Sequence, residues 1–436
     1  MKHQGLNRGI VVTMAGTGIN LALGILYTWS IFKGAITQSI KNGGPGAFQW
    51  APASLNDPYA VCCIVFACMM IAAGRIQDRF GPRITAFAGG VLVGAGFLWI
   101  SQTTSYLSWV FGFGVLAGTG IAFGYSSATP AALKWFPPGK TGRISGIVVA
   151  GFGLASVYIA PLAQYLLAAR GIAGSMQFFG IAFFLVVSVL ALFLTNPPEG
   201  YSPQGDPGNR RAPQNNEARK AFPQTDAHPL DLVKTPFFWL LWTLYFIGAG
   251  AGLMVIGSIA GMAKASMGQN AYLAVAILAI GNAGGRIAAG MLSDRIGRKK
   301  TLFLVFALQT LLMFAATAVA GKTESAAALI VLVATLIGFN FGANLALFPS
   351  FAKDLWGMKH FGVNYGVLFT AWGFGGLIMS RVSESLIARS GSYTASFISA
   401  GLLLAAGTVM ILLMKDRREE LRQELRISGK TAHART

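Results

Sequence analysis

Along this chain an apolar stretch long enough to cross a bilayer as a helix, about 20 residues, returns about a dozen times. These stretches fall near 9–32, 57–74, 84–101, 106–130, 144–166 and 175–195, and then near 237–262, 271–290, 301–320, 326–349, 363–388 and 393–414. The pattern predicts an all-α membrane protein with twelve transmembrane helices in two six-helix halves. The expected units are an N-terminal bundle over 1–195, a cytoplasmic linker over 196–236, a C-terminal bundle over 237–414 and a cytoplasmic tail over 415–436. The linker is rich in proline and polar residues, which predicts partial disorder. The tail, with its DRREELRQELR run, reads as a solvated helix.

The polar punctuation repeats. After the second span comes GRIQDRFGPR, from Gly74 to Arg83, and after the eighth comes GMLSDRIGRKK, from Gly290 to Lys300. The two glycines are 216 residues apart, and Gly, Asp, Arg and Gly recur at the same offsets as Gly74, Asp78, Arg79, Gly81 and Gly290, Asp294, Arg295, Gly297. Each segment is expected to form a tight charged turn, with Asp78 capping the following helix or pairing with a neighbour. A duplication on this scale in so apolar a chain points to a transporter of two similar halves.

Composition agrees with the pattern. Hydrophobic residues make up 54% and charged residues only 11%, against roughly 25% charged in soluble proteins. The 55 glycines suit close helix packing in a membrane. A formal charge of +19 invites a nucleic-acid reading, but its distribution opposes one. With both ends inside, 26 Lys/Arg lie in inner segments and six in outer loops (Lys33, Lys41, Arg170, Lys264, Lys322, Arg389). That asymmetry predicts the cytoplasmic membrane, both termini cytoplasmic, and no nucleic-acid partner. The basic N-terminus is read as the start of the first membrane helix. Cys62, Cys63 and Cys68 all lie in the second span and are read as inert packing residues. His3, His228, His360 and His433 fall in loops or termini, and no paired acids, metal ligands or nucleophile–base pair lie in the spans. An enzyme, a metal site and a cofactor are therefore not expected.

One residue stands against the pattern. Arg286 lies in mid-span, where a guanidinium costs at least ~2.5–3.5 kcal/mol. The plain alternative is a structural ion pair with an acid on another helix. Of the fifteen acids, however, only Glu384 lies well inside a span, and Arg381, three residues before it, is its expected partner as a gate or structural contact. Arg286 therefore reads as the binding residue for one anion, its planar fork suiting a carboxylate. Asn282 is one turn away and would orient the arginine or a substrate hydroxyl. Tyr27, on one face with Asn20, Tyr125 after its run of glycines, and Phe152 among small residues are candidates to join it. So are Phe341 and Asn344 in the tenth span, and Phe369 and Trp372 in the eleventh.

The two charged segments, the twelve spans and the central linker resemble the major facilitator superfamily over essentially the whole chain. Its motif after spans two and eight reads Gly-x-Leu-(Ala/Ser)-Asp-(Arg/Lys)-x-Gly-Arg-(Arg/Lys). The second copy here matches throughout, to Arg298 and Lys299, and the first departs at Ile76, Gln77 and Pro82. The resemblance implies that Asp78, Arg79, Asp294, Arg295 and Arg298 lock the cytoplasmic helix ends together. YTWSIF, KWFPPGKTGRISG, TPFFWLLW and NYG further resemble the oxalate/formate antiporter branch, which is similar to the monocarboxylate transporters. By that resemblance Tyr27, Tyr125 and Arg286 match site residues. Phe152, Leu345 and Phe341 stand where the oxalate carrier has Tyr, Tyr and Trp, and Trp372 stands where it has a lysine. One buried cation instead of two implies a monocarboxylate with a small apolar remainder, such as lactate, pyruvate or a short-chain fatty acid. The animal carriers have an aspartate where this chain has Asn282. Proton symport is expected with the proton held near the carboxylate, and anion exchange of the oxalate/formate kind is the alternative.

Overall fold

The computed structural model describes residues 2–198, 201, 227–267, 271–319 and 327–414. Most of the expected linker and the whole of the expected tail lie outside the described residues. The described chain is helical and multi-pass. Helix α1 (Lys2–Leu23) runs through a 3-10 segment (Gly24–Thr28) into α2 (Trp29–Asn42). The first crossing therefore extends past Phe32, and 34–42, expected as outer loop, is helix. Phe32 and Ile36, one turn apart, are both buried and carry the helix onward, and it ends only at Gly43, whose φ is 62°.

Helix α3 (Asp57–Phe80) is followed by α4 (Pro82–Ile100), and α5 (Tyr106–Trp109) passes through a π-helical stretch (Val110–Ala117) into α6 (Gly118–Leu133). Helix α7 (Thr141–Ala191) is 51 residues long and breaks at Gly171, whose φ is 65°. It reverses there: Gly151 faces Thr17 of α1, whereas Gly180 and Val187 face Leu98 and Gly90 of α4. Eleven described helices are long and apolar enough to span a membrane, and α7 supplies two crossings, which makes twelve. After the linker come α8 (Pro229–Leu232), α9 (Pro236–Met267), α10 (Ala271–Ile296), α11 (Arg298–Val319), α12 (Ala327–Trp356), α13 (Phe361–Ser390) and α14 (Thr394–Leu413).

The repeated charged segments are less turn than expected. Helix continues to Phe80 in one and to Ile296 in the other, and each reversal narrows to one glycine, Gly81 at φ 86° and Gly297 at φ 94°. Arg, Asp and Leu tolerate helix, and only glycine takes the left-handed conformation readily. The first and second sets of helices meet most extensively along two pairs, α3 with α13 and α7 with α10. Both pairs close on glycine: a side chain at Gly74 would collide with the carbonyl of Gly362, and one at Gly142 with that of Gly290. Small residues let membrane helices touch backbone to backbone.

Candidate functional site

Helix α10 presents Asn282 and Arg286 one turn apart on one face, as the spacing predicted. Arg286 is completely buried. Its Nε donates to Asn282 Oδ1 at 2.9 Å, its Nη1 to the carbonyl of Val149 on α7, and its Nη2 to the Tyr27 hydroxyl at 3.5 Å. Among the described residues no carboxylate pairs with it. Among the described residues three of the five guanidinium N–H groups are engaged, which leaves two for a ligand. Gly153 makes this possible: a Cβ there would lie 3.2 Å from both Arg286 Nε and Asn282 Oδ1. The arginine thus joins the two halves through neutral groups.

Around it is a set of rings. Tyr27 meets Phe152 edge-on at 5.4 Å and Phe341 at 6.4 Å. Tyr125 meets Phe152 at 5.5 Å and Phe369 at 5.4 Å, and Phe369 stacks on Trp372 at 5.2 Å. Phe66 of α3, which no sequence signal marked, touches Tyr125, Phe152, Phe369 and Trp372 at once. Leu345 is buried one turn from Phe341. The amide of Asn344 packs on Gly248 of α9, within the second set of helices. Asn20, expected to share a face with Tyr27, donates to the carbonyl of Val148 on α7 at 2.9 Å, and Tyr27 packs on Phe152 of the same helix.

A cavity of about 240 Å³ opens above these rings, lined among others by Tyr27, Lys33, Tyr59, Cys63, Trp372 and Arg381. Tyr27 and Trp372 belong both to its lining and to the ring cluster, and Arg286, which contacts Tyr27, is not among the lining residues. Cys63 on its wall and exposed Cys68 differ from the expected buried packing. Arg381 pairs with Glu384 at 3.3 Å, as expected, and lies 3.9 Å from Asp57 on α3. Both partners in the first pair are more than half exposed, so it contributes at most ~1 kcal/mol. Asp57 also accepts a 2.8 Å hydrogen bond from Tyr106.

The opposite, basic end is closed by a duplicated device. Asp78 accepts from the backbone N–H groups of Gly362 and Val363, both at 3.2 Å, at the start of α13. Asp294 accepts from Gly142 at 2.9 Å and Arg143 at 2.8 Å, at the start of α7. Each aspartate therefore caps a helix of the other half, not the helix that follows it. Arg298 braces Asp294 at 2.8 Å and Asp354 at 3.0 Å. Arg295 and Arg79 are exposed, and Arg79 lies over the Phe80 ring at 5.2 Å. Lys353 adds a link the sequence did not signal, donating to the Leu133 carbonyl at 3.2 Å. Beside Asp78, burial lowers Lys134 below its usual ammonium range, and the aspartate offsets part of this.

The family model described as Major Facilitator Superfamily matches residues 9–380 and, in a second match, 271–435. The chain is similar to an oxalate:formate antiporter from Oxalobacter formigenes, 25% identical over 90% of this chain and 88% of that one. It is similar to monocarboxylate transporter 11 from Homo sapiens, 24% identical over 93% of this chain and 82% of that one. Among solved structures it shares its fold with FucP in the outward conformation, at a TM-score of 0.68 and 12% identity over 94% of this chain and 100% of that chain.

Proposed function

Because the chain belongs to the major facilitator superfamily, and is a membrane transporter rather than an enzyme, we propose that it moves small monocarboxylates such as lactate or pyruvate across the cytoplasmic membrane. It does so by rocking its two halves about the site between them, with both termini on the cytoplasmic side. The observation that carries this reading is Arg286, a buried cation with no counter-charge among the described residues, which already contacts both halves. A carboxylate arriving from the cavity displaces Tyr27 and takes the two free N–H groups of the fork. Tyr27 and Tyr125 donate to it, Asn282 holds the guanidinium in plane, and Phe66, Phe152, Phe341, Phe369 and Trp372 enclose the apolar remainder. The glycine pairs and the two aspartate caps hold the cytoplasmic side shut while the substrate enters from outside.

Coupling is to protons in this reading, with the transported proton near the substrate carboxylate because Asn282 does not titrate. Uptake of labelled lactate into proteoliposomes should rise several-fold under an inward proton gradient. A relative named as an oxalate:formate antiporter favours exchange as the second reading. If uptake ignores the gradient and depends on formate or oxalate inside the vesicle, exchange replaces symport.

The charge rule gives a prediction of its own. Trp372→Lys adds a second cation at the cavity floor, so oxalate, which leaves the wild type unstabilised, should raise the variant's melting temperature by several degrees. A variant that remains folded and indifferent to oxalate removes the argument that the number of cations sets the charge of the substrate.

A further inference from the structure

Below the rings, on the side away from the cavity, three tyrosine hydroxyls converge from three helices: Tyr125 on α6, Tyr245 on α9 and Tyr365 on α13. All three residues are at most 2% exposed, and among the described residues the three hydroxyls find no hydrogen-bond partner outside their own cluster. The Tyr365 hydroxyl lies beside those of Tyr125 and Tyr245. All three rings surround Phe369, at 5.4, 6.1 and 5.7 Å for Tyr125, Tyr245 and Tyr365. Tyr245 is fixed by stacking on Phe348 at 4.0 Å, and the unpartnered Oδ1 of Asn344 belongs to the same α9–α12 contact.

Leaving a buried donor without a partner carries its full desolvation penalty. Tyrosine could be replaced by phenylalanine here at no loss of packing, as Phe66, Phe152, Phe369 and Phe348 show in the same layer. Three O–H donors that share at most two contacts with one another leave at least one without an acceptor, which calls for an oxygen-bearing occupant. The occupant cannot be a second carboxylate, because no cation among the described residues faces the cluster apart from Arg286 on its far side. We infer that Tyr125, Tyr245 and Tyr365 form the specificity subsite for an uncharged oxygen of the substrate, a carbonyl or hydroxyl, while Arg286 holds the carboxylate. The cluster makes the transporter selective for oxo- and hydroxy-monocarboxylates over fatty acids of equal length. Tyr125, which adjoins both the arginine and Tyr365, is shared between the two poles.

This inference rests on the monocarboxylate reading above and deepens it. The test is inhibition of labelled lactate uptake in proteoliposomes by two matched pairs, pyruvate against propionate and acetoacetate against butyrate. The wild type should prefer the oxygenated member of at least one pair by about tenfold, as expected when a buried polar site meets an analogue lacking its partner. Tyr365→Phe and Tyr245→Phe should raise the inhibition constant of that oxygenated acid about tenfold and leave that of the fatty acid within twofold. No preference in the wild type, an unchanged preference in both variants, or an equal loss for both members of a pair would overturn the inference and leave the monocarboxylate reading standing. A wild type that transports no carboxylate overturns both.

Discussion

Lysine in place of Arg286 abolishes transport: initial uptake of a labelled monocarboxylate falls at least about 30-fold at equal amounts of folded protein. The reason is geometric. One guanidinium donates to Asn282 Oδ1, to the Val149 carbonyl and to the Tyr27 hydroxyl, and among the described residues two N–H groups are left for a ligand. An ammonium has three donors at one point, so it can satisfy neither the fork geometry of a carboxylate nor both halves at once. Losing one partner of a buried charged contact costs roughly 2–5 kcal/mol, and about 1.4 kcal/mol is a factor of ten. Size-exclusion chromatography of the purified variant controls for folding. Uptake within threefold of wild type would show that the fork is not what binds the anion.

Asp78→Asn combined with Asp294→Asn opens the basic end. Each carboxylate accepts two backbone N–H groups at the start of a helix in the opposite half. Hydrogen bonds to a charged group contribute about 1.5–3 kcal/mol, and the helix dipole adds to this. Asparagine keeps one acceptor and loses the charge. Losing both charges should shift the balance toward the inward-open form by about 2–4 kcal/mol, or on the order of 30- to 1000-fold. Ser145, fully buried in the first turn of α7, reports on this. In a background lacking Cys62, Cys63 and Cys68, Ser145→Cys should react with a membrane-impermeant thiol reagent from the basic side at least about 30-fold faster when both aspartates are replaced. Unchanged labelling would mean that the glycine contacts alone keep the end closed.

The two experiments probe different layers of one interface. Arg286 reaches from α10 to α7 at the centre, and Asp294 reaches from the end of α10 to the start of α7. A substrate that binds the arginine, which also holds the Val149 carbonyl, therefore acts on the same helix pair that the aspartate locks. Tyr27 and Trp372 line the cavity and also belong to the ring cluster at that centre.

Much of this was legible from sequence for local reasons. Apolar length fixes where membrane helices run, since each must satisfy its own backbone in lipid. The helical repeat places Asn282 beside Arg286 and Arg381 beside Glu384, and both pairs are found. The recurring Gly-x-x-x-Asp-Arg-x-Gly announced two equivalent segments, and scarcity of buried acid singled out the arginine. Where periodicity met an irregularity it misled. Buried Phe32 and Ile36 carried the first crossing beyond its expected end.

What only the tertiary structure decided are relations between residues far apart in the chain. Asp78 finds the start of α13 and Asp294 the start of α7 because glycines at both crossings let backbones touch, and no spacing rule encodes which helix will arrive there. Val149 offers a carbonyl, a group every residue has, so nothing in its side chain could have marked it. Phe66, Tyr245 and Tyr365 look like ordinary aromatic residues of apolar helices until packing brings them to one point. Local propensity and burial are written residue by residue along a chain, whereas the site is a property of which helix faces meet.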